Sequence, residues 1–211
     1  MNTANATVYV VDDDPAILKA LSRLFRSLGY KVEVFESAKS FIDKKPDNKG
    51  PACLVLDMQL PGLNGFEVHD MLKQEVYTLP VVYITGHGDI PMSVKAMKKG
   101  AVDFLSKPVD ENDLLKAVEQ ALKQAEDDLG RQEEERHINH LIQFLTPREY
   151  EILSYVITGL LNKQIAYELD ISEKTVKVHR GRVMQKLNVN SVPELVRLAE
   201  KAGITPAEVS F

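Results

Sequence analysis

Residues 51–62 read PACLVLDMQLPG, an apolar run that stops at Asp57 and then turns through Pro61 and Gly62. Three other runs stop in the same way. TVYVVDDDPA (7–16) reaches Asp12 and Asp13, LPVVYITGHGD (79–89) reaches Thr85, and VDFLSKP (102–108) reaches Lys107. Short all-apolar runs rich in β-branched residues and bounded by turn residues read as strands buried on both faces. In an open parallel α/β sheet, ligands bind beyond the carboxyl ends of the strands. The four strand ends therefore bring carboxylates, a hydroxyl and an ammonium to one spot. That set suits a hard divalent cation and a phosphoryl group.

Between these runs the pattern switches to helical spacing. Pro15 suits a first helical turn, with Ile17, Leu18, Leu21, Leu24, Phe25 and Leu28 on one face and Gly29 as the stop. A strand is expected at 31–35, then a helix capped by Ser37 that carries Phe41 and Ile42. A helix from Gly65 holds Phe66, Val68, Met71 and Leu72. Strands are expected at 80–85 and 102–105, a helix at 91–99 stopping at Gly100, and a helix from Glu111 with Leu114, Leu115, Val118 and Leu122. Five βα units over 1–121 predict a doubly wound, five-stranded parallel sheet.

Residues 122–145 carry many charges and no proline, and predict a helical linker extending the preceding helix, with a flexible coil as the alternative. His137 and His140 share a helical face there without a third ligand, which reads as solvated surface. Residues 146–211 predict an all-α domain of four short helices. Thr146, Pro147 and Glu149 form a capping box. Gly159 breaks that helix, Asn162 is a candidate cap for the second, Asp170–Ile171 turns, and Ser172 and Ser191 cap the third and fourth. Two helices joined by a tight turn match helix-turn-helix spacing.

The net charge is -5, so no global basic field points to nucleic acid. The basic charge is local: 172–187 holds five basic residues and one acidic. At ~100° per residue, Val176, Val183 and Leu187 form a core stripe, while Lys174, Lys177, Val178, Gly181 and Gln185 form the opposite one. Arg182 and Thr175 flank one side, and Arg180 flanks the core side within reach of a phosphate. Such a helix fits the DNA major groove. Lys and Gln would meet base edges, Val178 a thymine methyl, and the amides at Asn162 and Lys163 would bind phosphates. Gly181 costs ~1 kcal/mol relative to Ala in a helix interior; close approach to DNA and no role at all both fit it. His179, near the core edge, reads as packing or a phosphate contact. Cys53 is the only cysteine, so no internal disulfide forms, and it reads as a buried hydrophobe. With no apolar run of membrane-spanning length and no basic-then-apolar leader at MNTANAT, a cytoplasmic protein is expected.

The stretches VYVVDDDPAI, LVLDMQLPGLNGFEV and VVYITGHGDIPMSVKAMKKGAVDFLSKP resemble the receiver domain of two-component response regulators. The block LTPREYEILSYVITGLLNKQIAYELDISEKTVKVHRGRVMQKL resembles the LuxR-type helix-turn-helix. Together they place the chain near the NarL/FixJ group. The resemblance implies a flavodoxin-like receiver in which Asp57 accepts phosphate from a sensor histidine kinase. It implies Mg2+ (or Mn2+) held by Asp12, Asp13, Asp57 and the backbone carbonyl of Gln59, with Asp14 turned outward. It implies that Thr85 and Lys107 contact the phosphate and that Phe104 turns inward as a switch; plain core is the other reading of Phe104. Gln59 and His87 fall where the family tunes phosphate lifetime, although His87 also reads as an ordinary loop residue. A cis Lys107–Pro108 bond is implied as well. Phosphorylation would then favour a homodimer on promoter half-sites and act on RNA polymerase, with the first helix and the fourth helix–fifth strand both open as the dimer face.

Two other classes compete. A haloacid-dehalogenase-type phosphatase also uses a strand-end Asp with magnesium, but it needs a second acid two residues later, where Gln59 stands. No phosphate-binding Gly-Lys-Ser/Thr loop occurs, since GHGDIP lacks that ending. An interaction module without DNA binding is the third reading.

Overall fold

Side chains of a β-strand alternate between its two faces, so a strand that is apolar throughout needs helices on both. The computed structural model describes residues 5–44, 50–74, 79–86 and 90–208, and divides into two compact units, Met1–Gly130 and Arg131–Phe211. In the first unit, five parallel strands lie in the order β2-β1-β3-β4-β5. They are β1 (Thr7–Val11), β2 (Lys31–Phe35), β3 (Ala52–Asp57), β4 (Val81–Thr85) and β5 (Asp103–Ser106). The helices between them are α1 (Pro15–Ser27), α2 (Ala38–Lys44), α3 (Gly65–Gln74) and α4 (Ile90–Lys98), with α5 (Glu111–Ile142) following β5.

The central strands β3 and β4 are buried along their whole length, whereas β2 and β5 at the edges are not. Alternation sorts the core. Val8, Val10, Cys53, Val55, Val82 and Ile84 pack with Leu18 and Phe25 of α1 and with Leu114, Val118 and Leu122 of α5. Tyr9, Val11, Leu54, Leu56, Val81 and Tyr83 pack on the other face with Phe41 of α2, Val68 and Leu72 of α3 and Ala96 of α4. Cys53 is fully buried in the first of these layers, and burial raises its thiol above the ordinary value. Strand order reverses between β1 and β3, which puts the crevice of a doubly wound sheet at their carboxyl ends.

The sequence expectations shift by a residue at several ends. Strand four begins at Val81 rather than residue 80, strand five spans Asp103–Ser106 rather than 102–105, and α4 covers Ile90–Lys98 rather than 91–99. Gly29 and Gly100 stop their helices in the left-handed region, with φ of 87° and 85°. Ser37 Oγ accepts the Ser40 amide at 3.2 Å, as expected of a cap. His87 lies outside the described residues.

The helix α5 continues unbroken through the charged segment to Ile142. The second unit adds α6 (Pro147–Val156), α7 (Asn162–Glu168), α8 (Glu173–Lys186) and α9 (Val192–Lys201) around Ile152, Leu153, Val156, Ile165, Val176, Val183, Leu187 and Leu195. Both halves of the Thr146–Glu149 capping box are present. Asn162 is not the cap of α7. Leu161 holds that position, its amide bonds Gln164 Oε1 at 2.8 Å, and Asn162 is the first helical residue. Asp170 makes the turn into α8 with φ of 49°, a conformation that Asp tolerates better than most residues. Among the described residues, no helix is long and apolar enough to cross a membrane.

Candidate functional site

The crevice holds the strand-end residues. Asp12 follows β1 and Asp57 ends β3; their exposures are 0% and 4%. Thr85 ends β4 with 0% exposure, and Lys107 follows β5. Lys107 Nζ lies 2.7 Å from Asp12 Oδ2 and 2.7 Å from Asp57 Oδ2, so one ammonium bridges two buried carboxylates. Its amide donates to the Thr85 carbonyl at 2.7 Å, and the Lys107–Pro108 bond is cis. Asp57 Oδ1 accepts the Gln59 amide at 2.9 Å, and Asp12 Oδ1 accepts the Asp14 amide at 2.9 Å.

Asp14 is exposed and turned to another task. Its carboxylate accepts the Ala16 amide at 2.8 Å and caps α1 ahead of Pro15. This role passed unnoticed in the sequence, although an Asp immediately before a helix-starting proline signals it. Asp13 is exposed at the rim, and one oxygen from each of Asp12, Asp13 and Asp57 lies within 4.8 Å of the others. Three carboxylates face one ammonium there, an excess of negative charge that a divalent cation with oxygen ligands would balance. The donor set therefore fits magnesium. Burial pushes the Asp12 carboxyl above its ordinary value, and the Asp57 charge adds to the rise; Lys107 and the Asp14 amide offset only part of it. Burial works against the Lys107 ammonium, but its two carboxylate partners outweigh that and raise it above its ordinary value.

Phe104 is half-buried on β5 with its ring 6.5 Å from that of Tyr83, two residues before Thr85. Tyr83 in turn bonds the buried His69 at 2.9 Å and donates to the Gly65 carbonyl at 3.3 Å. This buried pair was not legible in the sequence, because residues 69 and 83 meet only when α3 packs on the sheet. Gly65 is closely packed: a Cβ there would sit 2.8 Å from Met58 Sδ and 3.1 Å from the Asp57 carbonyl oxygen, so a side chain would require Met58 and the neighbouring backbone to shift.

In the second unit, Val176, Val183 and Leu187 are buried, and Lys174, Lys177, Val178, Gly181, Arg182 and Gln185 are exposed on α8. Lys163 is exposed at the start of α7. Thr175 and Arg180 are half-buried. The Thr175 hydroxyl pairs with Ser172 Oγ at 2.7 Å, and Arg180 Nη1 donates to Asn162 Oδ1 at 2.8 Å, tying α8 to α7. His137 and His140 are exposed; the latter packs edge-on against Phe144 at 4.9 Å. A Cβ on Gly181 would meet nothing within 4 Å. Gly181→Ala is therefore expected to stabilise the second unit by about 1 kcal/mol, read as a higher melting temperature. If DNA affinity falls while stability rises, the glycine serves close approach; unchanged affinity assigns it no role.

Known proteins share both units. The response regulator receiver domain matches residues 8–119, and the bacterial regulatory proteins of the luxR family match residues 143–199. The chain is 44% identical over 201 residues to the response regulator protein TmoT of Ectopseudomonas mendocina, covering 95% of this chain and 91% of that protein. It is 41% identical over 202 residues to the transcriptional regulatory protein FixJ of Bradyrhizobium diazoefficiens, covering 96% and 98%. Among solved structures, the response regulator StyR superposes with a TM-score of 0.81 at 47% identity, covering 94% of this chain and 100% of that one. Full-length FixJ superposes with a TM-score of 0.57 at 41% identity, covering 96% and 99%. With a receiver-type crevice in one unit and a basic helix-turn-helix in the other, the chain belongs to the two-component response regulators of the NarL/FixJ type.

Proposed function

We propose that Asp57 is the phosphoacceptor and that its phosphorylation controls promoter binding by α8. The observation that carries this reading is the bridge from Lys107 Nζ to Asp12 and Asp57, at 2.7 Å each. The Asp57 carboxylate attacks phosphorus, the phosphorus–nitrogen bond to a phosphohistidine of the sensor kinase breaks, and an acyl phosphate forms. Asp12, Asp13, Asp57 and the Gln59 carbonyl hold Mg2+ or Mn2+, which supplies charge neutralisation and in-line positioning when bound. Lys107 and Thr85 donate to the phosphoryl oxygens, Phe104 follows Thr85 inward, and Gln59 with His87 sets how long the phosphate persists.

On this reading residues 1–121 are the receiver, 122–145 the linker and 146–211 the DNA-binding domain. Lys174, Lys177, Val178, Gly181 and Gln185 face base edges, while Thr175, Arg180, Arg182 and Lys163 reach phosphates. The phosphorylated chain dimerises on two half-sites, engages RNA polymerase and works in the cytoplasm.

The test is selection from a random DNA pool by the full chain, with and without acetyl phosphate and magnesium, beside Asp57→Ala. The expected result is a two-fold-symmetric motif enriched only with phosphate donor and Asp57 both present. Enrichment independent of both would sink the control by Asp57 and leave only a DNA reader.

A further inference from the structure

One buried histidine takes no part in the chemistry at Asp57. His69 lies on α3 and Tyr83 on β4, and both are buried where α3 covers the sheet. His69 Nδ1 is 2.9 Å from the Tyr83 hydroxyl; a flipped ring would set a carbon there and forfeit the bond. The hydroxyl donates its single hydrogen to the Gly65 carbonyl at 3.3 Å, so Nδ1 carries a hydrogen and donates to the phenol oxygen. Burial, with the Asp70 charge, raises the Tyr83 hydroxyl above its ordinary value and keeps it a donor. His69 therefore aims the Tyr83 hydrogen at Gly65.

Gly65 is where this pair meets the crevice. Its amide donates to the Met58 carbonyl at 3.1 Å, and the Met58 amide donates to the Ile84 carbonyl at 2.9 Å. A Cβ on Gly65 would lie 3.1 Å from both the Asp57 carbonyl oxygen and Met58 Cα, so the start of α3 rests directly on the backbone of residues 57 and 58. Two aliphatic side chains would fill the space of His69 and Tyr83 without desolvating polar atoms. What the polar pair adds is direction: a satisfied buried network fixes one arrangement of the elements it joins.

We propose that His69 and Tyr83 are positioning residues for the strand-end crevice. Through Gly65 they hold the backbone of residues 57–59, so that the Asp57 carboxylate and the Gln59 carbonyl keep their places as cation ligands. This rests on the reading of Asp57 as a phosphoacceptor that works with a divalent cation. Groups behind the ligands of a metal change its affinity by orienting those ligands, without touching the ion.

The experiment titrates Mg2+ alone into the full chain by calorimetry, beside thermal melts. It compares the wild type with Tyr83→Phe, His69→Leu, His69→Gln, the double variant Tyr83→Phe/His69→Leu, and Asp57→Ala. Tyr83→Phe and His69→Leu each leave a buried partner unsatisfied, so each is expected to melt lower and to bind Mg2+ roughly three- to tenfold more weakly. In the double variant both polar groups are gone, and the melting temperature returns toward that of the wild type. Its Mg2+ affinity stays as low as in the single variants, a separation that a purely structural role does not produce. His69→Gln, whose amide can donate to the phenol oxygen, recovers most of the affinity. Should the single variants unfold, the double variant still decides.

Wild-type Mg2+ affinity in Tyr83→Phe overturns the proposal. So does an affinity that returns together with the melting temperature in the double variant. If Asp57→Ala binds Mg2+ as the wild type does, the reading of the crevice fails and takes this proposal with it. If Asp57→Ala loses Mg2+ while the other variants keep it, only this proposal fails.

Discussion

Lys107→Met is expected to destabilise the first unit by roughly 3 kcal/mol at pH 7 in the absence of divalent metal, the cost of leaving buried carboxylates without their cation. Lys107 Nζ is the shared donor to Asp12 Oδ2 and Asp57 Oδ2, and the side chains of those acids are 0% and 5% exposed. Met fills the same volume, so packing changes little and the loss is electrostatic. The pH dependence follows from Asp12, whose carboxyl already lies above the ordinary 3.8 because burial raises it. Without Lys107 it rises further. A carboxyl raised in the folded state costs stability as pH climbs through its folded value, so the variant gains stability as pH falls from neutral toward the ordinary 3.8. Magnesium is expected to return part of the loss by restoring positive charge among Asp12, Asp13 and Asp57. Urea denaturation at pH 7 and pH 5, with and without magnesium, measures all three effects. Wild-type stability without metal, or no magnesium effect, would show that the bridge contributes nothing to the balance of charge in the crevice.

Glu149→Ala is expected to cost the second unit roughly 3 kcal/mol at neutral pH. Glu149 is 2% exposed. Its Oε2 accepts the Thr146 amide at 2.8 Å and Lys186 Nζ at 2.6 Å, joining the start of α6 to the end of α8. Burial opposes its charge, yet the Lys186 ammonium and the Thr146 amide and hydroxyl win, pulling the carboxyl down from 4.5 to about 2. A lowered folded value means stability that is present above the ordinary 4.5 and lost as pH falls toward 2. The gap between wild type and variant should therefore be full at pH 7 and should close progressively between pH 4.5 and 2. Hydrogen exchange of α6 and α8 in the full chain reads this unit separately from the receiver. A gap independent of pH would assign the loss to packing, and no gap would remove the pair from the stability of the unit. DNA affinity is expected to fall with stability in Glu149→Ala, because Lys186 sits on the helix that carries the outward basic stripe.

Several features needed only local chain chemistry. Apolar runs closing on Asp12, Asp57, Thr85 and Lys107 announced strands and put those residues at one edge, since a parallel sheet directs all its carboxyl ends the same way. Gly29, Gly100 and Gly159 marked helix ends, and all three adopt positive φ. The capping box at Thr146 and the core stripe of α8 were readable from spacings of three and four residues. Where local signals competed, they were harder to rank. Three consecutive acids left the cap of α1 unassigned to Asp14, and Asn162 resembles a cap although Leu161 occupies that position.

The sequence by itself determined the two-part architecture, the strand-end acids and the basic face of α8, because each depends on periodicity and turn chemistry within one element. Only the tertiary structure decided which charges meet. Lys107 reaches Asp12 across 95 residues and Asp57 across 50, and Lys186 reaches Glu149 across 37. The same holds for His69 against Tyr83, Arg180 against Asn162, and the enclosed Nδ1 of His179. Side-chain pairing over such separations is set by how helices and strands pack in three dimensions. Spacing along the chain carries no record of it.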